Sequence, residues 1–172
     1  MEHGTGRPGT TEFPATWTDD QVLGNILSVA RKPDRAVWQE NNRWRMRGHV
    51  DGVEIIAIVK RDGEIITAWP LPGRRGVQQN PSWSMTADEA RFTVSMKRLP
   101  GRFSDRLPAD DLDALHMMAA AGEWEEEIDL LIANLTGNQQ SVTNQERADL
   151  RRLLMQIGLA VDQLGKVASS EP

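Results

Sequence analysis

The chain has 172 residues, 39% hydrophobic and 26% charged, a composition that suits one medium globular domain or two small ones and excludes collagen, fibre and wholesale disorder. Cysteine is absent and the three histidines lie apart at 3, 49 and 116, so no disulfide framework or thiolate zinc site holds the fold, and neither a metal nor a cofactor is expected. The formal charge of −5 conceals an asymmetry: residues 1–84 hold 11 Lys/Arg against 10 Asp/Glu, and residues 85–172 hold 9 against 15.

The first element follows the cap-type run Thr16 to Asp20, where Val22, Ile26, Leu27, Val29 and Ala30 recur at helical spacing until Pro33; this predicts one amphipathic helix over about 19–32. The period then changes to two. Trp44, Met46, Gly48 and Val50 alternate with Arg43, Arg45, Arg47 and His49, as on a half-buried strand. Asp51-Gly52 predicts a tight turn, Val53 to Val59 a central β-branched strand, and Arg61-Asp62-Gly63 a second hairpin before a strand from Glu64 to Trp69. With an edge strand over Ala36 to Gln39, the sum is one helix and an antiparallel meander closed by Pro70 and Pro72. Residues 71–84 are rich in Gly, Pro, Arg, Gln and Asn without apolar period, which reads as a linker.

Beyond residue 85 the grammar is helical throughout. Thr86 with Glu89 forms a capping-box pair, and Pro100-Gly101 is expected to end that helix. A second helix follows Pro108, with Leu112, Leu115, His116 and Ala119 on one face as far as Gly122. A third runs from Glu123 to about Leu135, its first turn rich in Glu, as the helix dipole favours. Thr143 with Glu146 opens a fourth, through Leu150, Leu153, Leu154 and Ile157, and a short fifth element covers Val161 to Val167. No apolar run approaches the ~18 residues needed to cross a bilayer. Nor does the segment from Met1 to Phe13 have the hydrophobic core of a signal peptide, so the chain reads as soluble and cytoplasmic, with no membrane partner.

Four stretches occur in order: His3-Gly4-Thr5-Gly6-Arg7-Pro8-Gly9 running on to Pro14, then Trp17 to Asp20, then Gly52 to Val59, then Asp62 to Pro70 with Ile66-Thr67-Ala68-Trp69-Pro70 at its end. Together they resemble the bacterial EndoU nucleases, the RNA-cleaving tips of contact-dependent growth-inhibition toxins. The resemblance implies an α+β fold of the barnase/EndoU type over residues 1–70, a 71–84 linker, and RNA, with tRNA a candidate, as partner. Cleaving RNA through its 2′-hydroxyl needs a base for that proton, an acid for the leaving 5′-oxygen and donors for the phosphorane charge. On the family pattern His3 corresponds to the second of two histidines, Thr67 to a phosphate-binding threonine, and Trp69 stands where tyrosine is usual. The first family histidine would lie upstream of His3, and the chain begins two residues before it. Where a basic strand residue is common this chain has Ile56, which makes Lys60 the nearby cation, and Thr10 replaces a usual lysine.

From about Met85 the chain resembles the small helical immunity proteins encoded beside such toxins, on Leu99 to Arg102, Ala121 to Glu126, the Val142-Thr143 helix start and Leu154 to Gly158. An all-α bundle over 85–172 is implied, making contact with the toxin module or a cognate toxin; the full toxin would be exported and delivered to target cells. Two functions stay open: a nuclease toxin fused to its acidic immunity module, and a non-enzymatic immunity or interaction protein carrying a dead toxin remnant. Arg7, Arg43, Arg45 and Arg47 are the candidate RNA contacts, since a cationic strand face neutralises backbone charge. Glu123, Glu125, Glu126 and Asp129 are the candidate inhibitor interface, against the simpler reading of a solvated helix end. His49 reads first as part of a solvated strand face, His116 as a satisfied interior histidine and Trp124 as core or interface.

Overall fold

A computed structural model describes residues 10–74, 76–80 and 85–170. The chain divides into two compact units, one built from residues up to Thr86 with Ala120–Gly122, the other from Ala87–Ala119 and Glu123 onward. The first mixes one helix with antiparallel sheet, and the second is mainly helical.

In the first unit a short strand β1 (Thr11–Glu12) precedes helix α1 (Asp19–Arg31). Thr18 caps that helix: its hydroxyl accepts from the Gln21 N–H while the Gln21 side chain accepts from the Thr18 N–H at 2.8 Å. The reciprocal pair satisfies two of the first-turn donors that an α-helix leaves open. Strands β2 (Arg35–Trp38), β3 (Arg43–Val50), β4 (Val53–Lys60) and β5 (Ile65–Pro70) follow as a four-stranded antiparallel meander in chain order. Asp51 and Gly52, both at positive φ (49° and 79°), make the two-residue β3–β4 turn, the geometry that matches strand twist in a tight hairpin. Between β4 and β5 the register shifts at Ile58/Val59, an extra residue that returns Thr67 and Trp69 to the face shared with Ile58 and Ile56.

The sheet has one face under α1. Val22, Ile26 and Val29 of the helix pack on Val53, Ile55, Ala57 and Val59 of β4, with Trp44, Met46 and Val50 alongside. Gly48 permits this close approach, because a Cβ there would stand 3.0 and 3.2 Å from the two Val29 methyls. Within the stretch 71–84, expected to be a linker, Leu71, Gln78 and Gln79 pair back onto the unit. The Leu71 N–H donates to the Glu54 carbonyl, and β6 (Gln78–Gln79) pairs with β1 through Glu12↔Gln78 and Thr11↔Gln79.

The second unit contains α2 (Ala87–Arg102), all but the last two residues of α3 (Ala109–Ala121), α4 (Trp124–Gly137) and α5 (Asn144–Gln156), then a 3-10 segment (Val161–Lys166). The expectation that Pro100-Gly101 ends the first of these is corrected: α2 continues to Arg102 with Pro100 inside it. A proline this close to the C-terminal end forfeits a backbone bond, and burial of its ring beside Leu99 offsets part of that loss. The wholly helical expectation is also corrected, since β7 (Ser141–Val142) and β8 (Ala168–Ser169) form a two-residue parallel pair. Arg147 holds the returning segment, donating to the Leu164 and Val167 carbonyls and the Ser169 hydroxyl. Thr143 and Glu146 form the expected capping box, and Arg106 bonds the Glu146 carboxylate, bringing its pKa down to about 2.

Three side chains of this unit depart from expectation. His116 is exposed, because the buried positions of α3 are Ala114, Leu115, Met118, Ala119 and Ala121, which turn His116 outward. Along α4, Glu125 faces solvent, whereas Glu126 is buried and Glu127 is fully buried with no hydrogen-bond partner for either carboxylate oxygen among the described residues. Burial raises the Glu127 pKa to about 9, so the side chain is a neutral carboxylic acid at neutral pH.

Two measurements check this account. Gly48→Ala should lower stability to urea by about 1–3 kcal/mol through overpacking, and the loss should shrink in the double variant with Val29→Ala. For Glu127, a folded-state pKa above the unfolded value means that the native state holds its proton longer, so stability falls as pH rises through that window. Across the window from about 4.5 to about 9 the expected slope is ~1.4 kcal/mol per pH unit. Glu127→Gln should therefore raise the melting temperature more at pH 8 than at pH 5, and equal effects at both would show that Glu127 does not titrate in this way.

A candidate nucleic-acid face on the sheet

Strand register decides which candidate residues share a surface. The face of β4 opposite α1 carries Glu54, Ile56, Ile58 and Lys60. Across β3 these four pair with His49, Arg47, Arg45 and Arg43, and across β5 Ile56 pairs with Trp69 and Ile58 with Thr67. Three rows result: Arg47–Ile56–Trp69, Arg45–Ile58–Thr67 and Arg43–Lys60. Every sequence-derived site residue of the strands thus lies on one sheet face, because alternate residues of a strand point the same way. His3 and Arg7 lie outside the described residues.

The environments differ along that face. Arg45 is buried at 6% exposure and Trp69 at 2%, with no acceptor for the indole N–H among the described residues. A ring so enclosed packs as core and has no open surface on which a base can stack in this state. Thr67 and Arg43 are partly buried. Lys60 stands at the exposed strand end, its ammonium 2.5 Å from the Glu64 carboxylate, and that hydrogen bond raises its pKa.

The other end of the face holds groups that the sequence reading did not single out. Glu54 is a fully buried carboxylate that accepts from Arg47 on one oxygen and from Arg74 on the other, the Arg74 Nε bond being 3.1 Å. Burial works to raise the Glu54 pKa, but the hydrogen bonds from Arg47 and Arg74 outweigh it and hold the carboxyl below its ordinary value. His49 Nδ1 lies 2.8 Å from Asp34 Oδ2, and its Nε2 is 3.7 Å from Glu54 Oε1. The hydrogen bond to His49 lowers the Asp34 pKa. A lone carboxylate within the apolar strand Val53 to Val59 was the available signal, since it falls directly across from His49 and diagonal to Arg47.

Among the described residues no group of His, Asp and Glu has metal-ligand geometry, and no helix is long and apolar enough to cross a membrane. In the helical unit, the four acidic candidates divide by environment: Glu125 is exposed, Glu123 and Asp129 are partly buried, and Glu126 is buried.

No curated protein and no solved structure matches the chain. The family model described as bacterial EndoU nuclease does match, over residues 1–72, which takes in α1 and the whole four-stranded sheet. Over that stretch, less than half of its length, the chain is similar to a bacterial EndoU nuclease domain.

Proposed function

We propose that the first unit is an EndoU-type endoribonuclease module that cleaves RNA, tRNA among its candidate substrates, through the 2′-hydroxyl, and that the helical unit is its acidic immunity-type inhibitor. The observation that carries the reading is the coincidence of the family match with the strand register: residues 1–72 match the nuclease, and within them Thr67 shares one sheet face with Arg43, Arg45, Arg47 and Lys60. In the reaction the 2′-oxygen attacks phosphorus, the bond to the 5′-oxygen breaks, and a cyclic 2′,3′-phosphate and a free 5′-hydroxyl result. His3 transfers a proton, the Thr67 hydroxyl donates to a phosphate oxygen, and Lys60 supplies positive charge as the phosphorane forms. Trp69, enclosed at 2% exposure, supports the sheet beside Thr67.

The burial of Arg45, Ile56, Ile58 and Trp69 favours a second reading. The part of the face around those residues offers RNA no open surface in this state, which suits an interaction protein whose nuclease remnant is inactive.

Incubation of tRNA with the full chain separates the two. The nuclease reading expects slow cleavage to cyclic-phosphate ends, reduced at least about 100-fold by His3→Ala, the scale of general acid–base catalysis. No cleavage, or cleavage indifferent to His3→Ala and Thr67→Val, would leave the interaction protein as the function.

Inhibition has its own test. Acidic inhibitors hold cationic surfaces by complementary charge, and exposed ion pairs contribute only about 0–1 kcal/mol each. Reversing Glu125 and Asp129 together to lysine in the full chain should raise tRNA cleavage several-fold, with a smaller gain at high salt, where screening has already weakened the pairs. Unchanged cleavage would remove α4 from the inhibitor.

A further inference from the structure

Glu54 is fully buried, yet both guanidiniums bonded to it remain open to solvent, with side chains 37% exposed at Arg47 and 47% at Arg74. Arg47 spends only Nε on the carboxylate, and Arg74 spends Nε and one Nη. Both Nη groups of Arg47 and the second Nη of Arg74 are therefore left without an acceptor among the described residues, beside an imidazole that Asp34 fixes through Nδ1. The side chain of His49 is 55% exposed, and Arg35 pairs directly with Arg47 on the neighbouring strand. A buried carboxylate that aligns two guanidinium forks reduces the side-chain ordering that an incoming anion would otherwise impose. What such a cluster offers outward is a set of planar N–H donors, the geometry that matches a phosphate oxyanion.

We propose that Arg47, Arg74 and His49, organised by Glu54 and Asp34, form a phosphate-binding site for the backbone of single-stranded RNA. The identity of the ligand as RNA rests on the nuclease reading above; the site itself rests on the side-chain geometry. It is not the reacting centre. Glu54 lies four residues along β4 from Ile58, the partner of Thr67, a distance of ~13 Å at strand rise. The phosphate held here flanks the one that reacts, so its binding energy is shared equally by ground and transition states. Losing the site therefore raises KM and leaves kcat unchanged.

The test uses the full chain and an uncleavable 2′-deoxy oligonucleotide of four pyrimidines, with inorganic phosphate as a second probe. Binding is followed by titration and by the Nε–H signals of Arg47 and Arg74. Arg74→Gln should weaken oligonucleotide binding about tenfold, the scale of one charge-assisted hydrogen bond, and His49→Gln should weaken it less. Arg74→Gln removes one of the two guanidiniums bonded to buried Glu54 and should lower the melting temperature, whereas His49→Gln leaves both in place; binding is compared at a temperature where the melting curves show both variants folded, which separates lost binding from lost folding. Unchanged affinity in both variants overturns the site, as does an oligonucleotide that leaves the arginine signals unmoved. Binding of inorganic phosphate without the oligonucleotide overturns the assignment to RNA. Failure of the nuclease reading looks different: the full chain cleaves no RNA, yet the oligonucleotide binds and Arg74→Gln weakens it. The converse, cleavage whose KM does not respond to Arg74→Gln, removes the site and leaves the nuclease.

Discussion

Burial of strand β4 on both faces is the constraint that organises the first unit. Val53, Ile55, Ala57 and Val59 take one face against α1, and Glu54, Ile56 and Ile58 take the other, with exposures of 5% or less throughout. An apolar pair such as Ile56 and Ile58 meets that demand directly. Glu54 meets it only with compensation, because an ionised carboxylate removed from water is costly unless charged hydrogen bonds replace its solvation. Arg47 from β3 and Arg74 from the segment after β5 supply them, which ties Arg74 back to the sheet, while Gln78 and Gln79 pair with β1.

Glu54 and Glu127 show two solutions to one problem. Both are fully buried glutamates. Glu54 has two guanidiniums and remains ionised, its pKa held low. Glu127 has no hydrogen-bond partner for either oxygen among the described residues, and its pKa rises to about 9. The difference lies in neighbours and not in residue type: paired burial favours the charged form through hydrogen bonds, and unpaired burial favours the proton. A run of acids on a helix therefore cannot be read as a uniform charged face. Within Glu123 to Asp129 only some carboxylates are available to attract a cationic surface.

The elements were legible where local chemistry dominates. The Thr143 capping box, the cap-type run before α1, the Asp51-Gly52 turn and the switch from period two to period 3.6 all depend on residues within four positions of one another. The features that escaped depend on distant partners. Pro100 remains helical and Glu127 is buried because of packing, and the β7–β8 pair joins segments about 27 residues apart through Arg147. His116 sits in an apolar-looking window, and a one-residue step around a helix, about 100°, moves it from the buried side to the open one. Of the candidate site, alternation alone grouped Arg43, Arg45, Arg47 and His49. Adding Thr67 and Lys60 required the register, and a bulge at Ile58/Val59 is invisible to periodicity. Arg74 was read as part of a linker, and nothing in its immediate neighbourhood points to Glu54, 20 residues earlier.

Charge counts mislead at the sheet face for the same reason. With 11 basic residues against 10 acidic, the first 84 residues are nearly neutral, and a nearly neutral module has little long-range field with which to attract a polyanion. Recognition of phosphate by such a module has to come from where the charges sit. Lys60 is engaged by Glu64 at the far end of the face, and Arg45 is enclosed. At the Glu54 end the compensating carboxylate lies beneath the guanidiniums, at 0% exposure, while the guanidiniums themselves reach solvent. Neutralisation from below leaves the outward donors in place, so a site of little net charge still presents fixed N–H groups to an anion. Such a site binds through oriented hydrogen bonds at contact range, which salt screens less than it screens exposed charges separated by more than a Debye length.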